Sequence, residues 1–129
     1  MIKLINKTHY NSEYLSSIVN ECVIITGCNK IRKIVFKYHR NWINNPIMWV
    51  GGYAYVGGST IIIKLPESDQ WDMRSNIGEL TEKSQLLTTV LIHEIGHLIR
   101  VEHNIGLTIE HLYEEQIKKY FNDGRFPLK

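Results

Sequence analysis

His93-Glu94-Ile95-Gly96-His97 brings two imidazoles and a carboxylate into one short stretch of chain. In a helix, residues four apart lie one turn apart on the same face. Two imidazoles so placed can both reach one tetrahedral ion at the Zn–N distance of about 2.0–2.1 Å. Glu94 sits about 100° further round the helix, so its carboxylate lies beside such an ion rather than on it. There it can take a proton from a metal-activated water and hand it on to a leaving group. The pattern predicts His93 and His97 as zinc ligands, Glu94 as general base, and metal-assisted hydrolysis as the chemistry.

A helix must hold this group. The apolar positions Leu86, Leu87, Val90, Leu91, Ile95 and Leu98 predict one over about 79–102, apolar nearly all round. Helices of that kind are enclosed on several sides. Two histidines and a glutamate do not belong in such a helix unless something satisfies them. A hydrolytic zinc usually has three protein ligands and a water. His103 is the first candidate for the third, but in a straight helix it would lie about 15 Å from His93 along the axis and off its face. It reaches the metal only if the chain turns sharply after about residue 99. The other candidates are Glu110, His111, Glu114 and Glu115, on a predicted helix over 108–121 opened by Thr108.

Upstream, Leu15, Ile18, Val19, Cys22 and Val23 recur at helical spacing and predict a helix over 12–26, capped by Ser12 and ended by Gly27. Strands are predicted over 31–38, over 47–56 with an interruption at Gly51-Gly52, and over 60–65. Gly57-Gly58 forms the turn between the last two. Asn44-Asn45-Pro46 reads as a turn, and 67–79 as a polar connection anchored by Trp71. Strands and helices are grouped rather than alternating, which predicts an α+β fold with a short, mostly antiparallel or mixed sheet.

The run His93-Glu94-Ile95-Gly96-His97-Leu98-Ile99-Arg100-Val101-Glu102-His103 resembles the metzincin signature HExxHxxGxxH within the zincin metallopeptidases. The resemblance implies a minimal zincin-like domain, zinc as cofactor, His93, His97 and His103 as ligands, Glu94 as base, and a peptide as substrate. Gly57-Gly58-Ser59-Thr60-Ile61-Ile62-Ile63 is similar to the strand that pairs with extended substrate in matrixin-like metzincins. It implies substrate along 60–65, since an exposed strand edge binds peptide by strand addition. Two features depart from the signature. Arg100 stands where the family has its turn glycine, and no methionine follows His103 to form a Met-turn. Gluzincin-like and SprT-like zincins take the third ligand from a later helix, which keeps Glu110, His111, Glu114 and Glu115 in play.

The remaining features set limits. The chain has 129 residues, enough for one domain over 1–129 with its own core. Its formal charge of +2 gives no argument for nucleic acid or an anionic membrane. No stretch approaches the roughly 20 apolar residues of a membrane span, and the first residues lack a signal-peptide pattern. A cytoplasmic setting is expected. Cys22 is expected to be a small buried hydrophobe, and Cys28 has no evident role. Trp42, Trp49, Tyr53 and Tyr55 are candidate groove or strand-pairing residues, and Tyr113, Tyr120 and His111 candidate oxyanion partners. His9 and His39 are expected to be exposed, and Arg32, Lys33, Lys37 and Arg40 to form a solvated basic strand face. Two rivals share the motif: a zincin-shaped binding protein without proteolysis, and a structural zinc site closed by a fourth protein ligand.

Overall fold

The computed structural model describes residues 2–39, 47–55, 57–75 and 78–103. The predicted helix over 108–121, with Glu110, His111, Glu114 and Glu115, lies outside them, as do Trp42 and the Asn44-Asn45-Pro46 turn. In chain order the elements are β1 (Lys3–Asn6), α1 (Ser12–Thr26), β2 (Lys33–Tyr38), β3 (Gly51–Ala54), β4 (Thr60–Leu65), β5 (Arg74–Ser75), β6 (Gly78–Glu79) and α2 (Lys83–His103). The four longer strands form one sheet in the order β1-β2-β4-β3, and β5-β6 is a small antiparallel pair. β1, β2 and β4 run parallel, and β3 runs antiparallel to β4. Two helices with a mixed four-stranded sheet make the described part of the chain α+β.

Local chemistry explains the boundaries. α1 begins where the Asn11 side chain accepts a hydrogen bond from the Tyr14 N–H at 2.9 Å. Asn11 is therefore the cap, one residue before the expected Ser12. The helix ends at Gly27, whose φ of 65° lies in the left-handed region and whose N–H donates to the Val23 carbonyl at 2.8 Å. β1 was not foreseen. Its four residues alternate too briefly to stand out, and it is held by parallel pairing with β2 from Lys3↔Lys33 to Asn6↔Phe36.

The core lies between one face of the sheet and the two helices. Ile34 and Phe36 of β2 and Ile61, Ile63 and Leu65 of β4 meet Leu15, Ile18 and Cys22 of α1 and Leu87, Leu91, Ile95 and Leu98 of α2. Cys22 is fully enclosed, and burial pushes its thiol well above the usual range. Cys28 is also buried in this core.

The sheet order corrects one expectation. Strand 60–65 is not an edge. β4 is laddered to β2 on one side and to β3 on the other, so its backbone has no free ladder to offer a peptide. Among the described residues the edge on that side of the sheet is β3.

Candidate metal centre

α2 starts with half of a capping box. The Gln85 side-chain oxygen accepts from the N–H groups of Thr81 at 3.3 Å and Glu82 at 3.2 Å, satisfying donors that the first turn leaves over. The buried stripe Leu87, Leu91, Ile95 and Leu98 then fixes the rotation of the helix against α1 and the sheet. That rotation turns His93 and Glu94 towards β3, against which α2 also packs.

The three side chains converge, each offering a ligand atom within 4.8 Å of the others. The Nε2 atoms of His93 and His97 are 3.2 Å apart, with the rings nearly perpendicular at 84°. Two tetrahedral Zn–N bonds of about 2.05 Å hold their nitrogens about 3.3 Å apart. The spacing of the pair is compatible with both nitrogens binding one tetrahedral ion. Both imidazoles are half-buried, whereas Glu94 is buried at 4% exposure. Two imidazoles are donors that zinc accepts, with the enclosed carboxylate beside them.

β3 explains how the carboxylate comes so close to the sheet. A Cβ added at Gly52 would lie 2.9 Å from the Ile62 carbonyl oxygen, 3.0 Å from Ile63 Cδ1 and 3.4 Å from Glu94 Cγ. No side chain fits there, so the glycine lets α2 and β3 approach. Beside the cluster lies a cavity of about 230 Å³, lined by Gly51, Gly52, Leu86, Val90, His93 and Glu94. Arg74 from the β5-β6 pair also lines it, held by Asp72 through bonds of 2.9 and 2.7 Å. The Arg74 guanidinium keeps the Asp72 carboxyl down at about 2.

Of the predicted site residues, His93, Glu94 and His97 are brought together. α2 is helical through His103 rather than turning after residue 99, and the His103 side chain lies outside the described atoms. Of the aromatic candidates for groove or strand pairing, Trp49, Tyr53 and Tyr55 do not line this cavity. Tyr53 points to the opposite face of β3 from Gly52 and pairs across to Ile62, and Tyr55 is exposed. His9 is exposed, as expected, and meets Tyr38 and Asp69. His39 is not: it is 6% exposed, packs against Trp49 and bonds the Trp49 carbonyl at 2.7 Å. Sequence reasoning missed Gly52 and Arg74 as site residues. The paired glycines breaking a strand pattern were the one available sign, since such glycines mark close approach of another group.

Searches against protein-family models, curated proteins and solved structures find no match to this chain.

Proposed function

We propose that the protein is a zinc-dependent peptidase. The observation that carries this reading is the pair of imidazole nitrogens at 3.2 Å, with a buried carboxylate on the next residue and a cavity alongside. His93 and His97 would hold the ion. Bound zinc supplies a Lewis acid that polarises a carbonyl and acidifies water. Glu94 takes the proton of the attacking water and returns it to the departing amine nitrogen. Its enclosure between α2 and β3 keeps the carboxylate at one position and shields it from bulk solvent.

A continuous helix carries His103 about 9 Å beyond His97 along the axis. This favours Glu110, His111, Glu114 or Glu115 over His103 as third ligand. The substrate path also moves. Strand addition requires an unpaired ladder, and β3 rather than 60–65 has one among the described residues. A peptide paired there would lie within reach of the cavity, which would take one of its side chains.

A general peptide library digested with purified protein tests the reading. Wild type is expected to cleave with zinc and to stop when zinc is chelated. Glu94→Gln is expected to keep zinc and lose cleavage. Cleavage retained by Glu94→Gln contradicts the assigned base, and a zinc-loaded wild type that cleaves nothing favours the non-proteolytic reading.

A further inference from the structure

The face of the sheet turned away from the helices has a composition unlike the rest of the molecule. The sheet strands contain four lysines and no acidic residue: Lys3 in β1, Lys33 and Lys37 in β2, and Lys64 in β4. The register puts all four on this one face. Ile34, Phe36, Ile61 and Ile63 fill the alternate positions and point into the core. Lys3 and Lys33 are neighbours across one end of the face, and Lys37 and Lys64 across the other. Between them runs a row of cross-strand partners, Ile5, Val35, Ile62 and Tyr53.

Exposed rings border the same surface. Tyr53 is 40% exposed, Trp49 54% and Tyr55 78%. Tyr53 and Tyr55 meet edge to face with centroids 6.3 Å apart, and the Lys64 ammonium sits 5.5 Å from the Tyr53 ring. Trp49 lies over Gly51, where an added Cβ would come within 2.2 Å of its ring. At the end where β2 and β4 begin, a polar cavity of about 370 Å³ is lined by Asn29, Lys30, Arg32, Gly57, Gly58 and Ser59. Its basic side chains extend the charge past Lys33.

We propose that this face binds single-stranded nucleic acid, with the lysines on phosphates and Tyr53, Tyr55 and Trp49 as stacking surfaces for bases. Lysines beside exposed rings are the combination such binding uses, because every base has a π-face and every nucleotide a negative charge. Four strands span about 14 Å, a width on which two or three bases stack. The pattern fits other occupants less well. Cores of protein interfaces are depleted of lysine.

Fluorescence anisotropy of a short labelled oligothymidylate with the full chain tests this, and its readout does not depend on hydrolysis. Wild type is expected to bind with log K falling against log salt at a slope of about −3, as four phosphate contacts on a single strand require. The combined change Lys33→Glu, Lys37→Glu and Lys64→Glu is expected to weaken binding at least ~20-fold, and Tyr53→Ala about 10-fold. The corresponding triple Lys→Gln variant, expected to weaken binding about 10-fold, keeps the test open if charge reversal disturbs folding. Lys83→Glu, on the helix side, is expected to bind as wild type. Absence of salt-dependent binding overturns the proposal. So does equal loss in Lys83→Glu, or equal affinity for polyglutamate or phosphatidylserine vesicles lost in the same variants.

Discussion

At the scale of single residues, the site turns on what burial does to a few polar groups. Glu94 is the one acidic side chain in the described core. Replacing it by Gln keeps its shape and removes its basicity, so under the proposed function hydrolysis is expected to fall about 10²–10⁴-fold, as loss of a general base does, with zinc content unchanged. Turnover compared at matched zinc loading checks this. His39 offers a second prediction. Burial lowers its pKa below the ordinary 6.5, with Lys64 adding in the same direction and the bond to the Trp49 carbonyl opposing. Since the unfolded chain then takes up the proton more readily, the stability tied to neutral His39 is fully present above about pH 6.5 and is lost as pH falls towards the folded value. Urea midpoints between neutral pH and pH 5 are expected to drop more steeply for wild type than for His39→Gln, which cannot charge. Parallel profiles would contradict it. The convergence of His93 and His97 was legible because helical periodicity places i and i+4 together whatever surrounds them. His39 was not, because its polar sequence neighbours gave no hint that residues around 49 fold over it.

At the scale of elements, α2 and β3 make the site jointly. Gly52 is where they meet, and Gly52→Ala would press a methyl group against the Ile62 carbonyl and towards Glu94. Overpacking of this kind costs about 1–3 kcal/mol, and here it also displaces the carboxylate. Denaturant unfolding should show the loss of stability, and activity should fall beyond what that loss explains. Full activity with unchanged stability would contradict the close approach. α1 and β4 were readable from sequence because apolar runs end at Gly27 and Pro66, and β2 because its side chains alternate. β1, β5 and β6 were not, since two to four residues carry no resolvable period. The place of β4 inside the sheet was hidden for a different reason. Strand order depends on β1 and β2 pairing parallel to it, which local pattern does not encode.

At the scale of the whole molecule, the sheet separates two kinds of chemistry. Its helix side carries the imidazole–carboxylate cluster and the 230 Å³ cavity. Its other side carries the lysines and exposed rings. The strand pattern marked Lys33 and Lys37 as a basic strand face, and pairing adds Lys3 and Lys64 to it. A net charge of +2 conceals the patch because acidic side chains are excluded from the four sheet strands. β3 belongs to both sides, with Gly52 towards the cluster and the adjacent Tyr53 away from it. No helix among the described residues is long and apolar enough to cross a membrane. Under the proposed function, α2 holds a zinc ion through His93 and His97. The most direct measurement is the zinc content of untagged protein purified without chelators, wild type beside His93→Ala and His97→Ala. The account predicts one zinc per chain in wild type and loss of it in either variant. Wild type that takes up no zinc even when it is supplied, or variants that retain it fully, would contradict the account.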